Sequence, residues 1–146
     1  MKLQPGSPAP DFRALDQEKN EHSLSDYRGQ YLLLYFYPKD DTPGCTAQAC
    51  GLRDVYGELK KHAALLGVSA DSVESHEAFA KKYALPFPLL ADPEKNIIQA
   101  YGVDGLLFSH RSSFLIDPQG TIAKVYDNVD PDTHADMVLR DIITLS

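Results

Sequence analysis

Cysteine is scarce in this chain, with two residues, Cys45 and Cys50, among 146. So few cannot build a disulfide framework, and without a Cys-x-x-Cys pair the chain does not look like a general thiol–disulfide oxidoreductase. A Cys-x₄-Cys spacing with no second pair nearby is poor for zinc, and the histidines form no metal pattern. His62 follows Lys60-Lys61 near a helix end, and His22, His76, His110 and His134 are scattered. Positive charge is also short: the formal net charge is −7 and the lysines and arginines are dispersed, so nucleic acid is not an expected partner. No apolar run is long enough to cross a membrane, and the amino terminus lacks an apolar signal core, which makes cytoplasm the expected location. Internal repeats and low-complexity segments are absent. The remainder is an ordinary soluble composition, 43% hydrophobic and 24% charged, expected to form one domain over residues 1–146.

Within that frame the two cysteines sit close together after a strand signal. The run Tyr31-Leu32-Leu33-Leu34-Tyr35-Phe36 is continuously apolar and aromatic, as expected of a strand buried on both faces, and Pro38 ends it. Thr42 suits an N-cap, Pro43 suits the first helical position, and apolar residues then recur at Ala49, Leu52, Val55, Tyr56 and Leu59. Cys45 therefore falls in the first turn, where free N–H groups and the helix dipole favour a thiolate over a thiol. Cys50 lies about 140° around the helix and about 7.5 Å along it, a Cα separation of roughly 8.6 Å. A disulfide needs about 7 Å or less, so bridging the pair requires the first turns to unwind, which Gly44, a poor helix former, assists. In a reducing compartment such a bridge is expected to be transient and catalytic.

The signature Pro38, Thr42, Cys45 and Cys50 resembles that of peroxiredoxins of the bacterioferritin-comigratory-protein type, also called the Q subfamily. Gly6-Ser7-Pro8-Ala9-Pro10-Asp11-Phe12 is similar to that family's amino-terminal entry, and Arg111 through Gly120 to its arginine-bearing strand and turn. The resemblance implies a thioredoxin-like α/β fold with a mixed central sheet, flanking helices and an N-terminal β extension. It implies Cys45 as the peroxidatic nucleophile, Cys50 as the resolving thiol, and Pro38, Thr42 and Arg111 as the peroxide pocket. Hydrogen peroxide and alkyl hydroperoxides would be the substrates and thioredoxin the reductant of a monomer without metal or organic cofactor. Where the family frequently has a glutamate, this chain has Gln48, which cannot relay a proton, and the segment between Tyr101 and Arg111 looks shorter than in many relatives.

A generic estimate shows where rate acceleration must originate. Lowering a thiol's pKa from about 8.5 to about 6 raises its thiolate fraction near pH 7.4 only about thirteenfold, while nucleophilicity falls roughly tenfold. The gains nearly cancel, so donors aimed at the departing peroxide oxygen are needed. Arg111, the Thr42 hydroxyl and the N–H groups around Cys45 are the expected donors. Alternatives remain for this cysteine pair: Cys50 as a core residue with an external thiol resolving Cys45, or a redox-sensing binding module in which Cys45 oxidation switches a partner surface.

The wider pattern alternates strand and helix. It predicts a hairpin-like start around Phe12–Leu24, strands at Tyr31–Tyr37 and Ala63–Ala70, and a cysteine helix to about Lys60. A helix capped by Ser72 or Ser75 should reach Tyr83, with a short strand at Leu89-Leu90 and a helix near Pro93–Tyr101. Strands Ser113–Ile116 and Thr121–Tyr126 flank the turn Asp117-Pro118-Gln119-Gly120, and a last helix follows Pro131. Asp40, Asp41 and Asp71 are expected in solvated loops and turns. Leu106-Leu107-Phe108, in the loop Gly102–His110, is expected to be a core anchor or a hydrophobic lip.

Overall fold

The computed structural model describes residues 3–105 and 110–145. A two-stranded antiparallel hairpin, β1 (Arg13–Leu15) and β2 (Glu21–Ser23), precedes a 3₁₀ turn at Leu24–Tyr27. Then follow β3 (Tyr31–Phe36), α1 (Pro43–Leu59), β4 (Ala63–Ser69), α2 (Val73–Tyr83), β5 (Leu89–Ala91) and α3 (Asn96–Ala100). The chain closes with β6 (Ser112–Ile116), β7 (Ile122–Tyr126) and α4 (His134–Leu145). The main sheet has the order β5-β4-β3-β6-β7, with β3, β4 and β5 parallel and β6 and β7 antiparallel to their neighbours.

The continuous apolar run of β3 is explained by its central place. Leu33 and Tyr35 face a layer formed with α1, α2 and α4, while Leu32, Leu34 and Phe36 face a second layer with Ile97, Ile98, Tyr101 and Phe114. Alternate residues point to opposite faces and both faces are covered, so no position tolerates a polar side chain. Helices α1 and α4 pack closely enough that a Cβ on Gly51 would lie 3.4 Å from the Ala135 Cβ.

Boundaries shift where local hydrogen bonds override pattern. Ser72, not Ser75, caps α2, its hydroxyl accepting from the Ser75 N–H at 3.1 Å. Helix α3 is shorter than Pro93–Tyr101: Lys95 adopts a left-handed φ of 62°, and the Asp92 carboxylate accepts from the Ile98 N–H at 2.8 Å, folding Pro93 and Glu94 into a turn. Thr121 lies outside β7 and instead makes an isolated antiparallel bridge to Pro8, which ties the amino-terminal segment to the sheet. Leu106-Leu107-Phe108 lies outside the described residues. Among the described residues, no helix is long and apolar enough to cross a membrane.

Candidate active site

Cys45 sits in the first turn of α1, one residue past Gly44, and only 1% of its surface is exposed. Thr42 occupies the N-cap position with an extended backbone, but its hydroxyl makes no cap bond. It donates to the Lys39 carbonyl at 2.9 Å instead. Two consequences follow. The N–H groups of Gly44 and Cys45 have no acceptor within the helix and none from Thr42, so they stay open beside the sulfur. The Thr42 proton is already committed, which corrects its expected role as a donor: its oxygen offers lone pairs, able to accept a proton-bearing group.

Arg111, just before β6, reaches across to α1. Its Nη1 lies 3.4 Å from Cys45 Sγ and donates to Gln48 Oε1 at 2.7 Å. The guanidinium rests against Gly44, where a Cβ would come within 2.9 Å of Nη2. Gln48 is one helical turn beyond Cys45 and fully buried, and its Nε2 faces His134 Nδ1 at 3.2 Å. The second ring nitrogen of His134 meets Ser113 Oγ at 2.8 Å. Burial, and secondly the nearby Arg111 charge, push the His134 pKa down to about 4, so the ring is neutral near pH 7.

A second polar cluster anchors the loop between β3 and α1. Asp40 is buried: Tyr37 donates its hydroxyl proton to Oδ1 at 2.6 Å, and Ser75 donates to Oδ2 at 2.8 Å. His76 Nδ1 lies 2.7 Å from the same Oδ2, and its Nε2 lies 2.9 Å from the Leu90 carbonyl. The Asp40 N–H donates to Asp71 Oδ2 at 2.8 Å, as does the Ser69 hydroxyl at 2.6 Å. Asp40 and Asp71 therefore hold buried structure together, which corrects the expectation of solvated loop acids. Their ligand atoms and that of His76 fall within 4.8 Å of one another, but each already has the hydrogen-bond partners just named. Asp41 alone matches the surface expectation: exposed, it accepts from Lys82 and from the Tyr83 hydroxyl, both at 2.8 Å, and these donors lower its pKa.

The structure thus brings Cys45 and Arg111 into contact, with Thr42 and half-buried Pro38 at the helix entrance. Cys50, partly exposed, lies on the same unbroken helix and is a free thiol, like Cys45. Gln48, already marked by the resemblance as standing where the family has a glutamate, completes the arrangement with Ser113 and His134, which were not expected there from the sequence. Two had a signal available: Gln48 shares a helical face with Cys45, and Ser113 lies two residues after Arg111, at the start of β6. His134, distant in sequence, had none. Tyr35 adds one further feature. Its hydroxyl is the only buried side-chain polar atom among the described residues without a hydrogen-bond partner, and burial, then the neighbouring Cys45, push its pKa up.

A cysteine at a helix start, faced by an arginine and presented beside a mixed five-stranded sheet, sits here on a thioredoxin-like fold. Residues 5–125 match the AhpC/TSA family, and the chain belongs to it. Within that family the chain is an enzyme of the peroxiredoxin class. It is 44% identical to the chloroplastic peroxiredoxin Q of Sedum lineare over 95% of this chain and 77% of that protein. It is also 44% identical to peroxiredoxin Bcp of Escherichia coli K12 over 94% of each. Its fold superposes on a cysteine-to-serine mutant of Xylella fastidiosa PrxQ with a TM-score of 0.95, at 30% identity and covering 99% of this chain and 98% of that one. The bacterioferritin comigratory protein of Xanthomonas campestris, studied for alkyl peroxide reduction, superposes with a TM-score of 0.90 at 30% identity, over 99% of this chain and 98% of that one.

Proposed function

We propose that the protein reduces hydrogen peroxide and small organic hydroperoxides with Cys45 as nucleophile and Cys50 as resolving thiol, and that thioredoxin returns it to the dithiol. The observation that carries this reading is the placement of Arg111 Nη1 3.4 Å from a sulfur held in the first turn of a helix. The Cys45 thiolate attacks one peroxide oxygen, the O–O bond breaks, and the departing hydroxide or alkoxide takes a proton to leave as water or alcohol. Negative charge moves from sulfur to the departing oxygen, where Arg111 and the open N–H groups of the first turn stabilise it. Thr42, its own proton on the Lys39 carbonyl, accepts a hydrogen bond from the incoming hydroperoxide. Pro38 shields the site from water. The near-complete burial of Cys45 favours small peroxides.

Attack leaves a sulfenic acid on Cys45. The Cys50 thiol attacks that sulfur, the S–O bond breaks, and water departs to leave an intramolecular disulfide for an external dithiol to reduce. This reaction needs no metal or organic cofactor. We infer a single domain, a monomer and a reducing, cytoplasmic setting, in keeping with two free thiols and few exposed large apolar side chains among the described residues.

The deciding experiment follows peroxide loss and reductant consumption with thioredoxin and its reductase in wild type, Cys45→Ser and Cys50→Ser. Wild type should turn over repeatedly and Cys45→Ser should consume nothing. Cys50→Ser should consume one equivalent of peroxide and accumulate sulfenic acid. Stoichiometric oxidation of wild type without recycling would favour a redox-sensing module, and equal loss of the first turnover in both variants would sink the assignment of roles.

A further inference from the structure

Gln48 and His134 are buried polar residues that the chemistry above does not use, yet together they hold the guanidinium on which it depends. Because the Gln48 carbonyl accepts from Arg111 Nη1 at 2.7 Å, the amide nitrogen is the end that faces His134 Nδ1 at 3.2 Å. That nitrogen can only donate, so Nδ1 accepts and the ring proton resides on Nε2, which donates to Ser113 Oγ at 2.8 Å. A single placement of protons satisfies the whole line from Arg111 to Ser113. Turning the amide over would set its NH₂ against the guanidinium, losing the buried bond to Arg111, and would keep a bond to His134 only if the ring proton moved to Nδ1.

The identity of residue 48 matters for the same reason. A carboxylate would accept from Arg111 equally well but would present a second acceptor to Nδ1. The contact would then survive only with a proton on Nδ1, either moved there from Nε2, which makes Ser113 the donor, or added to a ring that is fully buried and repelled by Arg111. An amide lets every member except Arg111 stay neutral, so no carboxylate in this line offsets the arginine charge beside the Cys45 sulfur.

We propose that Gln48 and His134 are a matched pair of positioning residues, the Nε2–H form of His134 locking the Gln48 amide in the orientation that keeps Arg111 Nη1 on Cys45. The proposal rests on the thiol peroxidase reading, since positioning matters only if Arg111 acts on the peroxide.

The test compares wild type, Gln48→Leu, His134→Phe, the double variant and Gln48→Glu. The rate constant for peroxide should fall about tenfold or more in each of the first two, as expected when an aimed donor is displaced. The double variant should lie within about twofold of the worse single one, because the pair acts as a unit. Alkylation of Cys45 by iodoacetamide, which releases no peroxide oxygen, should change less than about threefold if only aimed donors are lost. Additive losses, or equal falls in alkylation and peroxide rate, would overturn the pairing. Histidine ¹⁵N spectra supply a readout independent of activity. Wild type at pH 7 should show His134 as the Nε2–H form, and Gln48→Glu should raise its titration midpoint by more than about one pH unit. An Nδ1–H form, or an unmoved midpoint, would defeat the proposal even if His134→Phe failed to fold. Wild type that consumed no peroxide would remove the underlying reading and the proposal together, whereas active wild type with additive variants would remove the proposal alone.

Discussion

Two histidines are wholly buried here, and their neighbours put them to opposite uses. His76 lies between the Asp40 carboxyl group and the Leu90 carbonyl, each within hydrogen-bond distance of one ring nitrogen. His134 lies between an amide donor and a serine hydroxyl, and a neutral ring satisfies both. The first belongs to a hydrogen-bonded cluster that ties the loop before α1 to α2 and β5. The second belongs to a line of neutral groups that steadies a cation elsewhere. Burial alone therefore does not set what a histidine does; the partners of its two nitrogens decide it.

The largest expected effect comes from breaking the Asp40 cluster. Asp40→Ala should destabilise the protein by about 3–5 kcal/mol in urea denaturation at neutral pH, because it strands His76, Tyr37 and Ser75 without their shared acceptor. Gln48→Leu should cost clearly less, and equal losses would break the contrast between the two clusters.

Acid provides the next test. His134 has a folded pKa near 4 against an unfolded value of about 6.5. Above pH 6.5 both states are neutral. As pH falls toward 4 the unfolded chain takes up a proton that the folded chain refuses, so stability should drop by about 3 kcal/mol across that window. The groups facing the ring are Arg111, Tyr35 and Tyr126, together with neutral Gln48 and Ser113. The difference between wild type and His134→Phe isolates the His134 contribution, since the acidic groups with shifted pKa values, Asp41, Glu58, Asp92 and Asp141, are common to both. Parallel pH profiles would show that His134 is not the group titrating.

Oxidation should separate the clusters in space. A Cys45–Cys50 disulfide requires the first turns of α1 to unwind, and the arginine line is attached to those turns through Cys45 and Gln48. The Asp40 cluster precedes them. On oxidation, amides from about Gly44 to Gly51 should lose hydrogen-exchange protection, while Val55–Leu59 and Tyr31–Phe36 retain most of theirs. Unchanged protection around Cys45 in the bridged species would leave the spacing unexplained.

The smallest effect concerns two tyrosines on one strand run. Tyr37→Phe removes a donor to Asp40 and should cost about 1–3 kcal/mol, whereas Tyr35→Phe removes a hydroxyl that has no partner and should be neutral or stabilising by up to about 1 kcal/mol. Equal losses by thermal or urea unfolding would mean that Tyr35 has a partner after all.

Much of this fold is legible in the chain because β3 and α1 carry unmixed signals: one continuous apolar run ended by proline, then a proline-started helix with a regular apolar stripe. The alternation of strands and helices after them is equally local. Legibility ends where hydrogen bonds cross the fold. Nothing near Asp40 in sequence announces His76, and nothing near Gln48 announces His134, because each contact depends on how whole elements pack. Thr42 shows the same limit at short range: composition places it at the helix start, but only the backbone path shows its hydroxyl turned to Lys39.

Gly44 carries a consequence in the genetic code. Its backbone does not require glycine, since its φ is ordinary, and alanine is both a better helix former and one base change away in every glycine codon. Mutation must therefore offer alanine at this position often. The Arg111 guanidinium, 2.9 Å from where the extra methyl would sit, is what would turn it away. The exclusion is therefore only as firm as the grip of Gln48 on that guanidinium, and an alanine would be accommodated by whatever shift of the arginine tip Gln48 permits.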